Sequence, residues 1–159
     1  MRLMGIDPGP TKSAYVIWDG QRILAKSIDE NNLLLHCLLN PAVYWDAATW
    51  PDALVIEQIK SYGMTVSDSI FETVYWSGRF CQAWGDRGFF DRYPRMTIKM
   101  HLCHNSRAKD ANIRQALIDR LGEPGKKKSP GITYGVHADE WQALALAVTA
   151  WDEIMEGGE

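Results

Sequence analysis

Apolar runs broken by turn residues open the chain. Leu3-Met4-Gly5-Ile6 ends in Asp7 and the turn Pro8-Gly9. Ala14-Tyr15-Val16-Ile17-Trp18 runs into Asp19-Gly20, a hairpin signal, and residues 21–28 return. These segments predict three strands, over 2–7, 14–18 and 21–28, arranged as an antiparallel meander. A helical period follows at 29–40: Leu33, Leu34 and Leu38 supply an apolar face, Asp29 stands at the cap position, and Asn40-Pro41 stops it. Residues 41–52 show no clear period. Residues 53–57 are nearly all apolar, as a buried central strand requires. Over 66–84, Ile70, Phe71, Val74, Tyr75, Gly78, Cys81 and Gln82 fall on one helical stripe. Residues 95–99 predict a short fifth strand. A helix over 107–121 turns Ile113, Ala116, Leu117 and Leu121 inward and stops at Gly122. Residues 122–135 form a loop, and 138–155 a last helix whose Ala145 and Ala147 permit close backbone approach. The order βββ-α-β-α-β-α-α predicts one α/β domain over residues 1–159, with a mixed sheet that opens as a meander.

Composition narrows the class. With 159 residues, 46% hydrophobic content and seven tryptophans, the chain is expected to fold rather than stay disordered. No apolar run approaches the ~20 residues that cross a bilayer, and no basic segment with a signal-like core marks the N-terminus. Cys37, Cys81 and Cys103 are odd in number and widely spaced, which fits a reducing compartment. The reading expects a cytoplasmic protein with no membrane partner. The formal net charge of -3 conceals an asymmetry: residues 87–128 hold eleven basic and four acidic residues, the rest six and sixteen. A cationic segment on an acidic chain points to a polyanion-binding face.

The candidate chemistry lies in three carboxylates. Asp7 ends the first strand, Glu57 ends the fourth, and Asp139 precedes the small-residue stretch of the last helix. Alone, an aspartate before Pro-Gly is a turn former, and Asp139 a helix cap. A glutamate after Leu-Val-Ile is different, because a buried carboxylate needs a counter-charge. If the two strands are neighbours, Asp7 and Glu57 emerge at one sheet edge, with Asp139 opposite. Three such groups suit a hard dication, Mg2+ or Mn2+, and two ions ~4 Å apart can activate water against a phosphodiester.

Gly5-Ile6-Asp7-Pro8-Gly9, then Ile56-Glu57-Gln58, then a final acid before Ala-Leu-Ala-Leu-Ala resembles the RuvC family of Holliday-junction resolvases, of the ribonuclease H-like superfamily. The motifs span residues 3–150. The resemblance implies a ribonuclease H-like five-stranded sheet flanked by helices. It also implies a Mg2+-dependent endonuclease that resolves four-way DNA junctions by paired nicks, with two ions per site and a homodimer of bacterial or phage origin. Asp7, Glu57 and Asp139 would be catalytic metal ligands. Ile98-Lys99 and Ala108-Lys109 resemble paired lysines near the scissile phosphate. The family's last helix carries a second acid three residues on, where this chain has Gln142. Gln142, Glu140 and His137 are alternatives for that ligand.

Three other features bear on DNA. Tyr62, in the loop after Glu57, is placed to stack on a base at an opened branch point. Lys126, Lys127 and Lys128 form a charge cluster suited to phosphates. Phe71, Tyr75 and Trp76 are assigned to core or dimer packing. His101, Cys103 and His104 lack the fourth ligand of structural zinc. Two further classes remain: a non-catalytic relative that binds branched DNA, and an actin-like or sugar-kinase-type ATP-binding fragment. The second needs another domain to enclose nucleotide and a second phosphate hairpin.

Overall fold

The computed structural model describes residues 1–158. Strands β1 (Leu3–Asp7), β2 (Lys12–Trp18) and β3 (Ile23–Glu30) form the expected meander, followed by helix α1 (Asn31–Leu39) and the short helix α2 (Pro41–Tyr44). Strand β4 (Ala53–Gln58), helix α3 (Asp68–Trp84), strand β5 (Phe89–Pro94) and helices α4 (Arg95–Cys103) and α5 (Asp110–Leu121) come next. A two-residue-per-strand hairpin, β6 (Gly125–Lys126) and β7 (Ser129–Pro130), precedes the last helix, α6 (Glu140–Glu156). The main sheet has the order β3-β2-β1-β4-β5. The β1–β2 and β2–β3 pairs are antiparallel, whereas β1–β4 and β4–β5 are parallel.

Alternation along the strands divides the core in two. Leu3, Val16, Ala53 and Val55 face a layer built from α4, α5 and α6, while Met4, Ile6, Ile17, Leu54 and Ile56 face α1 and α3. Helix α6 is buried continuously from Glu140 to Ala150. It lies so close to β1 that a Cβ built on Gly5 would sit 2.6 Å from the Ala143 carbonyl oxygen and 3.1 Å from the Ala147 Cβ. The alanines of the last helix therefore serve this contact. Among the described residues no helix is long and apolar enough to cross a membrane.

Several expectations require correction. The fifth strand is Phe89–Pro94, and residues 95–99 begin α4 instead. Strand β5 is an edge strand exposed over Phe89–Arg92, so it shows no buried alternation, and Pro94 ends it and opens the helix. Asp29 lies in β3, and Glu30 takes the cap position of α1 without a side-chain cap bond. Leu34, Cys37 and Leu38 are buried on that helix, but Leu33 points outward. In α3 the apolar stripe faces solvent: Phe71 and Tyr75 are 63% and 58% exposed, whereas Thr73, Phe80 and Trp84 are buried.

Candidate active site

The turn after β1 is built to hold Asp7. Ser13 Oγ accepts from the Gly9 amide at 3.1 Å and donates to Asn31 Oδ1 at 2.6 Å. Asn31 Nδ2 returns a bond to the Gly9 carbonyl at 2.9 Å. A side chain at Gly9 has no room, because its Cβ would lie 2.2 Å from the Lys12 carbonyl oxygen. This buried network links β2 and the start of α1 to the residues just past Asp7.

Register brings the second acid alongside. Ile6 pairs with Ile56, so Asp7 and Glu57 follow on adjacent parallel strands at one edge. Asp7 shares the parity of Leu3 and Gly5, and Glu57 that of Ala53 and Val55, so both turn toward the α6 layer. Glu57 is buried at 8% exposure. Burial, followed by the negative charges of Glu57 and Asp139, holds the Asp7 carboxyl well above the ordinary carboxylate range, with Arg95 opposing weakly. Asp139 occupies the N-cap position of α6 but makes no side-chain cap bond. Its exposed carboxylate is not tied to its own helix. Ala138, just before it, adopts a left-handed φ of 47°, a strained value for a residue with a side chain.

The donor set fits a hard dication. Asp7 and Glu57 place two carboxylates together in a largely desolvated setting, with one guanidinium as the adjacent counter-charge. Among the described residues no three His, Cys, Asp or Glu side chains are drawn together tightly enough to hold one ion as they stand. Asp139 therefore approaches the Asp7–Glu57 pair without closing on it.

Glu140 has another role. It is 1% exposed, accepts from Lys26 Nζ at 2.9 Å and from the His137 backbone amide at 3.1 Å, and has His137 Nδ1 at 3.1 Å. A carboxylate engaged in this way is a structural anchor for the first turn of α6, which argues against its assignment as a metal ligand. Gln142 is 8% exposed and lines, with Asp110, Arg114, Gln115, His137 and Asp139, a cleft of about 720 Å³ between α5 and α6. In the same cleft the Arg114 guanidinium lies 5.0 Å from the Trp141 ring centroid.

The basic candidates are spread around this centre. Lys109 is exposed at the N-cap position of α5, where its backbone amide donates to Asn112 Oδ1 at 2.9 Å. Lys99 is half-buried on α4, on a helix rather than a strand. Tyr62, 56% exposed with a left-handed φ of 49°, lines a second groove of about 550 Å³ with Lys60, Met96, Thr97, Met100 and His101. Lys126, Lys127 and Lys128 are exposed on the small hairpin. Arg95 was not singled out by the sequence. It opens α4, places Nη1 3.6 Å from Glu57 Oε2 and pairs through Nη2 with Asp110. Burial works against its charge, yet Glu57, Asp110 and Asp7 raise its pKa above the ordinary guanidinium value.

No protein-family model matches the sequence, and no curated protein matches it either. Solved structures do. The structure of Thermus thermophilus RuvC is 19% identical, with a TM-score of 0.70 over 99% of this chain and 97% of that one. The same organism's RuvC in complex with a Holliday junction substrate is 16% identical, with a TM-score of 0.72 over 99% and 96%. The yeast mitochondrial Holliday junction resolvase is 13% identical, with a TM-score of 0.57 over 94% and 77%. At these identities the likeness is one of fold, and it extends over nearly the whole chain. The chain has a RuvC-like fold, a mixed five-stranded sheet flanked by helices.

Proposed function

We propose that this protein is a metal-dependent endonuclease that cuts branched DNA, resolving four-way junctions by paired nicks. The observation that carries the reading is the convergence of Asp7 and Glu57 at one sheet edge, on the face toward Asp139, in a chain with the RuvC-like fold. Asp7, Glu57 and Asp139 would hold Mg2+ or Mn2+, with Gln142 or His137 as a neutral further ligand. The ion would supply Lewis acidity and lower the pKa of bound water. The reaction is hydrolysis of a phosphodiester, leaving 5'-phosphate and 3'-hydroxyl ends.

The protein's own groups divide the remaining work. Lys109, exposed at the N-terminus of α5, provides positive potential for a strand backbone. Lys99 and the Lys126–Lys128 hairpin add phosphate contacts whose contribution falls with salt. Tyr62 offers an exposed ring to a base unstacked at the branch point. Each of these assignments concerns phosphate or stacking, so recognition rests on shape rather than base sequence.

A two-fold junction calls for two active sites, and α3 offers the surface that would join them. Ile70, Phe71, Val74 and Tyr75 form an exposed apolar stripe, which suits an isologous contact with a second copy. Phe71→Asp is expected to shift the mass measured by light scattering from dimer to monomer and to abolish paired nicking.

Gln142 in place of an acid favours a second reading, in which the protein binds junctions without turnover. Incubation with a labelled four-way junction, a flap and a linear duplex separates the two. Metal-dependent nicks in the junction support the endonuclease. Tight junction binding without cutting in Mg2+ or Mn2+ supports the binder.

A further inference from the structure

Helix α5 turns Ala111, Arg114, Gln115 and Ile118 toward the start of α6, and the two helices leave a cleft of about 720 Å³ between them. The spacing is that of one helical face. Across the cleft stand Asp139, Trp141 and Gln142, so a candidate metal ligand forms one of its walls. The volume falls within the range of about 300–1,000 Å³ that holds small organic ligands.

Two polar side chains of this cleft are left without partners in the fold. Arg114 is exposed and makes no ion pair among the described residues, in contrast to Arg2, Arg95 and Arg120, each of which meets an aspartate. Its guanidinium lies 5.0 Å from the ring centroid of Trp141, which is itself 5% exposed. A buried indole holds the guanidinium in place and leaves its donors free. Gln142 is 8% exposed, and among the described residues its side-chain amide makes no hydrogen bond. A buried amide without a partner is costly, so a donor and an acceptor in the cleft wall call for a polar ligand. Gln115 is already engaged, because its amide donates to Asp119 at 2.8 Å. Two carboxylates border the same space, but Asp110 is paired with Arg95 and Asp139 is the proposed ligand of the ion.

We propose that the α5–α6 cleft is a nucleotide subsite, in which Arg114 holds the phosphate next to the scissile one and the Gln142 amide hydrogen-bonds the nucleotide attached to it. The assignment rests on the branched-DNA reading above, and it leaves His137 as the neutral ligand for the ion. A strand whose scissile phosphate lies at Asp139 must continue past that residue, and on the α5 side the cleft receives it. The planar guanidinium fork matches the two free oxygens of a phosphodiester, which an ammonium meets only as a point charge. Arg114 touches no reacting atom and fixes the strand in register with the ion.

Neutralising phosphates one at a time tests this. Four-way junctions carry a single uncharged methylphosphonate at successive positions around the branch point, in both equivalent strands. Dissociation constants for full-length wild type, Arg114→Gln and Arg114→Lys are read by fluorescence anisotropy in chelator, with circular dichroism melts confirming the fold. Arg114→Gln is expected to bind the unmodified junction about tenfold more weakly. One methylphosphonate position should weaken wild type by a similar factor and leave Arg114→Gln unaffected, because the contact it removes is already lost. Arg114→Lys, which keeps the charge, should stay sensitive at that same position. Unchanged junction affinity in Arg114→Gln, or equal sensitivity of wild type and Arg114→Gln at every position, overturns the subsite and leaves the branched-DNA reading standing. No junction binding by wild type sinks both. Should Arg114→Gln fail to fold, Arg114→Met, which keeps an apolar stem against Trp141, takes its place in the same comparison.

Discussion

Lys26 Nζ donates to Glu140 Oε1 at 2.9 Å, joining β3 to the first turn of α6 one residue past Asp139. The glutamate is 1% exposed, and its lysine also donates to the Gly135 carbonyl at 2.8 Å. This pair locates the helix whose N-terminus presents Asp139. Lys26→Met strands a buried carboxylate, and because the lysine is itself part-exposed the expected loss is about 2–3 kcal/mol, near the low end for a broken buried pair. Urea denaturation measures it, and the double variant with Glu140→Gln should recover part of the loss.

Asp7 predicts an unusual pH dependence. Its carboxyl is held well above the ordinary range, first by burial and then by Glu57. The folded protein therefore binds a proton that the unfolded chain releases, and stability falls as pH rises from the ordinary carboxylate range through Asp7's raised pKa. In chelator, Asp7→Asn should raise the melting temperature and flatten that dependence in thermal melts from about pH 4, near the ordinary carboxylate pKa, up to about pH 8. A variant that melts lower at neutral pH contradicts the like-charge strain.

Asp152 has the opposite sign. Burial disfavours its charge, but Arg120, which donates at 2.6 Å, and His101, whose Nε2 lies 2.7 Å away, hold its pKa below the ordinary value. Its stabilisation is present above the unfolded carboxylate pKa and is lost as pH falls through the lowered one. Asp152→Asn should cost about 2 kcal/mol at pH 7 and progressively less in acid, read by denaturant titration at each pH.

The packing of α6 on β1 gives a prediction independent of charge. Gly5→Ala forces a Cβ to within 2.6 Å of the Ala143 carbonyl oxygen unless α6 shifts. A loss of about 2 kcal/mol is expected from this overpacking, measured by chemical denaturation. Because Asp7 and Asp139 sit at the ends of those two elements, the same shift should also weaken Mn2+ binding.

How much of this was legible in the sequence depended on the range of the interaction. The apolar runs ending in Asp7 and Glu57 carry their own signal, because a buried parallel strand is apolar on both faces and its terminal acid stands out. The meander announced itself through Asp19-Gly20. Strand β5 did not, since its exposed edge carries Asp91 and Arg92 where alternation would be sought. Helix α3 was placed correctly, and of the two assignments for its stripe, core or dimer packing, the structure removes the core for Phe71 and Tyr75. A stripe of Ile70, Phe71, Val74 and Tyr75 looks the same whether it meets this chain's core or another surface. The roles of Arg95 and Glu140 rest on partners far away in sequence, and no local pattern encodes an ion pair between residues 26 and 140.

In the proposed nuclease Asp7 and Glu57 form the heart of the active site. The most direct measurement follows a labelled four-way junction with wild type and Asp7→Asn, in Mg2+ and in chelator. Wild type should give paired nicks in Mg2+ alone, and Asp7→Asn should lose about a hundredfold or more of that activity with junction binding retained. Equal cleavage by Asp7→Asn, or cleavage by wild type in chelator, would contradict it.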